Sequence, residues 1–465
     1  MKKIDFLFFW ETKVREIESI ILIGTELEKQ GYRVEYISFA EIHSNPFKVR
    51  KIKSKGVKVA VMPSLYHDEE IRKIVYAGAG ECEKIVNLRW EQVYRQKEQR
   101  AYDLYQFPKG NAKKCLHLCW GAEEAGELIE SGISKDNVRV TGPVQMDFVR
   151  KEFKSYFLSR EELFKKFNLD TNKKVMLFIS SFSVSSMSEL HIRVDESQPG
   201  QRKGFLTERK KQEEFVYNTF LEWLEQFLKK NTTIEFIYRP HPVERKDRLD
   251  VFCGKYKNFH IISELNVKQW ILCCDYVCTW ISTSIAEAYF AGVNCAIIRP
   301  TEIPSEEDMT IYKNAKFTTT VDDFISLPTK SELFENSLDS KILNDYYCIN
   351  SDKPSFKIIS DVLVEKLNMT ECFNWDVLRP LKTPNIVIAF AKSVRTKVFC
   401  KFVDMGILRK SKVFSGKMNL RIENYIVNRK SMSVNRLSRK EFKKLKNDIE
   451  YVFFSKLEMK QSNEC

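Results

Sequence analysis

Two short segments in the second half of the chain carry residue types suited to holding phosphate. The first is Arg239-Pro-His-Pro-Val-Glu244, directly after the apolar run 234–238. In open α/β sheets, ligands bind beyond the carboxyl ends of the strands. A guanidinium and an imidazole placed there can bind phosphate, and the prolines restrict the loop that presents them. With only six histidines in the chain, one between two prolines stands out. The plainer reading is a rigid turn whose histidine caps a neighbouring helix. The second segment, Trp280-Ile-Ser-Thr-Ser-Ile-Ala-Glu-Ala288, again follows a strand-like run and opens a helical pattern. Ser282, Thr283 and Ser284 can offer hydroxyls and backbone N–H groups to phosphate. Glu287, one turn in, can accept hydrogen bonds from ribose hydroxyls. Ser284-x-x-Glu287 is equally a capping box, so the spacing leaves both readings open.

The candidate bases lie in the first half. Glu11 directly follows the first apolar run, with Arg15 one turn later. A carboxylate at a strand end can deprotonate an acceptor hydroxyl. Glu91, beyond the run ending at Leu88, is a second candidate. For each, a solvated or ion-paired surface glutamate is the simpler alternative. No Asp-x-Asp triplet occurs. A bound Mg²⁺ needs hard oxygen ligands, so the expectation is chemistry without a metal or other cofactor.

The elements that position these residues alternate. Apolar strand-like runs at 4–10, 33–39, 57–62, 85–88, 115–120 and 138–142 are separated by helical patterns, the first at 14–29. A second series has strands at 175–180, 234–238, 276–279 and 295–298, with helices at 215–228 and from 284. Helical patterns at 330–350 and 356–367 close it. Alternation of this kind predicts parallel sheets with helices on both faces. The expected division is a Rossmann-like domain at 1–154, a second at 155–375 and a basic helical tail at 376–465. The polar stretch 185–214 reads as a long loop, a functional or mobile feature in a compact domain.

Charge is unevenly spread. Residues 381–465 carry 20 Lys and Arg against 7 Asp and Glu, while residues 1–380 carry 56 of each. A neutral body argues against a nucleic-acid binder, which needs a cationic face on its folded domain. A basic tail suits an anionic membrane surface; the alternative is that it packs on the first domain with its charges solvated. The 12 cysteines form no CxxC pair and fall mostly in apolar runs, as small buried hydrophobes in a reducing compartment do. The N-terminal run is too short and too charged for a secretory signal. No run approaches the roughly 20 apolar residues of a membrane span. The expected location is cytoplasmic, peripheral to the membrane at most.

Arg239-Pro-His-Pro followed by Ser282-Thr-Ser284 and Glu287 resembles the donor domain of two-Rossmann, GT-B type glycosyltransferases of bacterial surface carbohydrate synthesis. The similarity is greatest to Kdo-transferase-like proteins of capsule and lipopolysaccharide synthesis. Bacterial sialyltransferases and teichoic acid glycerophosphotransferases use a similar pair of motifs. Val14-Arg-Glu16, Val140-Thr-Gly-Pro-Val-Gln-Met-Asp147 and Phe178-Ile-Ser-Ser-Phe-Ser183 agree with it, and the tail lies outside it. The resemblance implies two domains facing a cleft. It implies a CMP-, CDP- or UDP-linked sugar held by Arg239, His241, Glu244, Ser282–Ser284 and Glu287, with His241 stabilising the leaving phosphate. The acceptor, a growing glycan or lipid-linked glycan, would lie on the side of Glu11, Arg15 and Glu91. A CDP-glycerol-type polyol-phosphate transferase is the alternative enzyme, and a basic binding protein the alternative class. An epimerase fits less well, because its expected acidic residues and Ser-Gly-Gly phosphate loop find no place here.

Overall fold

The computed structural model describes residues 2–99, 106–197, 204–241, 244, 246–334, 337–381, 386–411, 415–434 and 436–455. The chain forms two compact units. One comprises residues 1–147, 344–409 and 432–465, the other residues 148–343 and 410–431.

The first unit holds six parallel strands: β1 (Ile4–Trp10), β2 (Val34–Ser38), β3 (Val57–Met62), β4 (Lys84–Asn87), β5 (Leu116–Cys119) and β6 (Val138–Val140). Their order is β2-β1-β3-β4-β5-β6. Every residue of β1 is buried, as a parallel strand covered on both faces requires. Helix α1 (Lys13–Lys29) follows β1 and buries Ile17, Ile20, Ile21 and Leu27. After β2 come the short helices α2 (Phe39–Ser44) and α3 (Pro46–Lys55).

The second unit holds β7 (Lys174–Ile179), β8 (Ile234–Arg239), β9 (Phe259–Ile261), β10 (Tyr276–Thr279), β11 (Asn294–Ile298) and β12 (Phe317–Thr318), all parallel. Their order is β12-β11-β10-β7-β8-β9. Counted within the unit from β9, this is the 3-2-1-4-5-6 order of dinucleotide-binding sheets, with the reversal point between β7 and β10. The long helix α4 (Phe205–Lys230) buries Phe220, Leu224, Phe227 and Leu228 against this sheet. Helix α5 (Ser284–Phe290) follows β10.

The division differs from the sequence boundaries: the first unit ends at 147 rather than 154, the chain returns to it at 344, and the tail is shared between the two units instead of forming a third part. Helix α6 (Ser355–Asn368), assigned from sequence to the second domain, belongs to the first unit. The Asp147 carboxylate caps it, accepting from the Ser355 and Phe356 amides at 2.9 and 2.7 Å. Two glycines admit the returning chain. A Cβ on Gly121 would lie 2.1 Å from the Asp345 carbonyl oxygen. One on Gly142, where φ is +74°, would lie 2.5 Å from that of Cys348. The Val140–Asp147 segment thus receives the return of the chain. Further on, Trp375 donates its indole N–H to the Cys82 carbonyl at 2.8 Å.

The stretch read as a long loop is shorter than expected. Residues Glu189–Glu196 are helical and α4 starts at Phe205, ten residues before its apolar face becomes continuous. Residues 198–203 lie outside the described residues. The first turns of α4 are polar and held by pairs such as Arg209–Glu213 at 3.0 Å, which hides them from an apolar periodicity.

The basic tail forms α7 (Ile386–Asp404), α8 (Gly416–Val434) and α9 (Arg439–Glu450). Helix α9 packs on α1 through Lys446–Glu28 at 2.5 Å and Lys13–Glu441 at 2.6 Å, and on β2 through a Tyr36–Phe442 ring contact. Beyond it, Phe453 and Phe454 pack on Phe356. Among the described residues no helix is long and apolar enough to cross a membrane.

Candidate functional site

The two sequence motifs follow β8 and β10, at the carboxyl ends of strands flanking or next to the reversal point of the second sheet. A buried carboxylate organises the first. Glu244 is only 4% exposed. Its Oε2 accepts from the His241 amide at 2.9 Å and the Ser180 hydroxyl at 2.6 Å, and its Oε1 from the Tyr238 hydroxyl at 2.6 Å. The Glu244 amide in turn donates to the His241 carbonyl at 2.9 Å, closing the turn. Expected among the donor contacts, Glu244 instead has its carboxylate inside the loop, fixing His241. Burial raises its carboxyl to about 6. The histidine is half-buried, and burial lowers its pKa, which favours the neutral imidazole. Pro242, Val243 and Arg245 lie outside the described residues.

Arg239 donates to the carbonyl oxygens of Glu264 and Leu265 at 2.9 and 2.5 Å. It therefore braces the loop after β9. Burial lowers its pKa to about 10, which still leaves it cationic at neutral pH.

The second loop is tied to the segment after β7 and to a tyrosine. Ile281 donates its amide to Ser181 Oγ at 3.3 Å, and Phe182 stacks on Trp280 with ring centroids 5.0 Å apart. The Ser282 amide donates to the Tyr312 hydroxyl, which donates back to the Ser282 carbonyl, both at 2.9 Å. Arg299 donates to the Trp280 carbonyl at the start of this loop, and its Nη2 donates to both Asp308 carboxylate oxygens at 2.9 Å. Sequence reasoning missed Tyr312 and Arg299, and quoted Ser181 only within the segment 178–183 without giving it a role; the position of Arg299 immediately after β11 was the available signal.

The capping box expected as the plainer reading of Ser284-x-x-Glu287 is not formed. Thr283 is the N-cap residue and makes no side-chain cap, and the Ser284 amide donates to Ser282 Oγ at 3.3 Å. Glu287 turns away from the helix start to pair with Lys268 at 3.0 Å through Oε1. Its Oε2 is buried and has no hydrogen-bond partner among the described residues. An orphan buried carboxylate oxygen is costly unless something completes it.

In the first unit, Glu11, Arg15 and Glu91 come together. Arg15 is hydrogen-bonded to Glu91, and it lies 3.4 Å from Glu16. Glu16, 1% exposed, accepts from the Glu11 amide at 2.7 Å. Burial raises the Glu16 carboxyl to about 6. Glu11 itself is solvent-exposed at the end of β1, yet surrounding protein holds its carboxyl above the usual value, with Arg15 opposing and Glu91 reinforcing that shift. Glu91 is paired with Arg15, so of the two candidate bases Glu11 has the freer carboxylate. The sheet reverses between β1 and β3, which places Glu11 at the crevice position of its own unit. Among the described residues no group of three or more His, Cys, Asp or Glu is arranged to hold a metal ion.

No protein-family model matches the chain, and no curated protein matches its sequence. Solved structures do match its fold. A UDP-GlcNAc 2-epimerase from Neisseria meningitidis, solved with UDP-GlcNAc, is 14% identical with a TM-score of 0.52, covering 78% of this chain and all of its own. A putative UDP-N-acetylglucosamine 2-epimerase from Listeria monocytogenes is 14% identical at a TM-score of 0.51, covering 80% of this chain and 98% of its own. The wall teichoic acid polymerase TagF is 13% identical at a TM-score of 0.50, covering 79% of this chain and 90% of its own. These likenesses establish the fold. The chain has two Rossmann-like α/β units of the GT-B type, with a helical C-terminal part. At such identities the fold carries no choice among activities.

Proposed function

We propose that the chain is a glycosyltransferase that moves a sugar from a CMP-, CDP- or UDP-linked donor to a growing surface polysaccharide, such as capsule or lipopolysaccharide. The observation that carries this reading is Glu287 Oε2, a buried acceptor left open beside the reversal point of a dinucleotide-type sheet. A ribose diol supplies the donors that would complete it. The hydroxyls and amides of Ser282–Ser284 and the imidazole of His241 are the groups available for the phosphates, with the Arg239 charge behind them.

In this reading the acceptor hydroxyl loses its proton to Glu11 and its oxygen bonds to the anomeric carbon. The bond from that carbon to the nucleotide phosphate breaks, and the phosphate leaves with the electron pair. His241 donates a hydrogen bond to that phosphate, where the developing charge makes a donor most effective. The raised pKa of Glu11 brings its proton affinity nearer the operating pH, which favours general-base catalysis. Work on a lipid-linked acceptor would place the enzyme at the inner face of the cytoplasmic membrane.

Product analysis with labelled nucleotide donors tests this. A glycosyltransferase releases the nucleotide phosphate and leaves the sugar on the acceptor. Appearance of a polyol phosphate on the acceptor with CMP released would replace this reading by a CDP-glycerol-type transferase. Isomerised nucleotide-sugar without acceptor would replace it by an epimerase.

A further inference from the structure

The tail is not one surface. Helix α9 is docked on α1, and residues 410–431 belong to the second unit, where Glu423 pairs with Arg193 and Lys410. Helix α7 differs from both. Its inner face packs on α2 and α3, with Ser393 donating to the Ser44 carbonyl at 3.0 Å and Phe399 and Val403 buried. Its opposite face is apolar and open to solvent. Phe390, Val394, Val398 and Phe402 recur every fourth residue and are 39–47% exposed. Phe47 of α3, 62% exposed, stands against Phe390 with ring centroids 5.7 Å apart and widens the stripe.

The flanks of that stripe are basic. At 100° per residue, Arg395 falls on one side of it and Lys397 and Lys401 on the other. All three are exposed, and the helix contains no acidic residue before Asp404. Long basic side chains beside an apolar stripe lay their stems along it and lift their charges to the headgroup level of a bilayer. An apolar stripe bordered by cations is the pattern of a helix lying in the plane of an anionic interface. A second copy of this chain would set the same cations against each other, and charge therefore favours lipid.

We propose that α7, with Phe47, is a docking face for an anionic lipid surface, and that α9 is not part of it. The proposal does not rest on the nucleotide-binding reading. It can fail while that reading holds, and the reverse.

Co-sedimentation of the full chain with vesicles of phosphatidylglycerol and phosphatidylcholine in equal parts tests it. The wild type should pellet with these vesicles, stay in solution with pure phosphatidylcholine, and be released by high salt. Val394→Asp combined with Val398→Asp should weaken partitioning by about tenfold or more. Lys397→Glu combined with Lys401→Glu should do the same and flatten the salt dependence. Because all four side chains are exposed, neither pair should move the thermal midpoint. Lys443→Glu with Lys444→Glu on α9 should leave partitioning within about twofold. Undiminished binding in both α7 variants overturns the proposal. So does an equal loss in the α9 variant, equal binding to neutral vesicles, or no binding by a wild type that is a dimer split by the Val394/Val398 variant.

Discussion

The carboxyl-end edges of the two sheets are built on one device and equipped for different chemistry. In each, a buried glutamate with its pKa raised to about 6 accepts the backbone N–H of the residue that faces solvent. Glu16 holds Glu11 at 2.7 Å, and Glu244 holds His241 at 2.9 Å. What is held differs. The first unit presents carboxylates around one arginine, a set suited to taking a proton. The second presents an imidazole, hydroxyls and a braced guanidinium, a set suited to receiving negative charge. A burial-raised buttress thus says nothing of the reaction by itself; the residue it fixes does.

The largest expected effect is at His241. His241→Ala should lower kcat by roughly 100-fold or more with a cognate donor, through loss of the donor to the leaving phosphate. Unchanged turnover would leave the second edge with binding and no chemistry. On the other edge, Glu11→Gln should lower kcat by about 100-fold while donor affinity stays nearly constant, because a base acts in the transition state. If Glu91→Gln shows that loss instead, the base is the glutamate bound to Arg15.

Chemical denaturation across pH probes the shared device. A buried acid whose folded pKa lies above its unfolded value binds more protons when folded, so stability falls as pH rises from 4.5 to about 6. Each buttress should contribute about 2 kcal/mol to that fall, complete above pH 6 and absent below 4.5. Glu16→Gln or Glu244→Gln should remove its share of the slope. A slope unaltered in both would mean that these carboxyls are not held as described. The smallest effect is expected from Ser181→Ala, which removes one 3.3 Å bond to Ile281 and should cost about 1 kcal/mol of stability.

Most strands were legible because a strand buried on both faces is an uninterrupted apolar run; 57–62 and 276–279 match β3 and β10 to the residue. Strands β9 and β12 were not, since three and two residues carry no periodicity. The motifs at 239–244 and 280–288 were visible by composition. Their internal wiring was not. Glu244 as a buttress depends on Tyr238 of the preceding strand β8 and on Ser180 from the end of β7, and Glu287 depends on Lys268. The tail read as one basic module because charge counts cannot separate α9, which docks by ion pairs and a few aromatic rings, from α7, whose outer apolar stripe is exposed.

The central claim is that the second unit binds a nucleotide through Glu287 and the two loops. Thermal unfolding of the wild type with CMP, CDP, UDP and GDP tests it most directly. One of them, at about 100 times its dissociation constant, should add about 2.7 kcal/mol to stability. Glu287→Ala should lose most of that gain while keeping the fold. No stabilisation by any of the four, or a gain equally large in Glu287→Ala, would contradict the account.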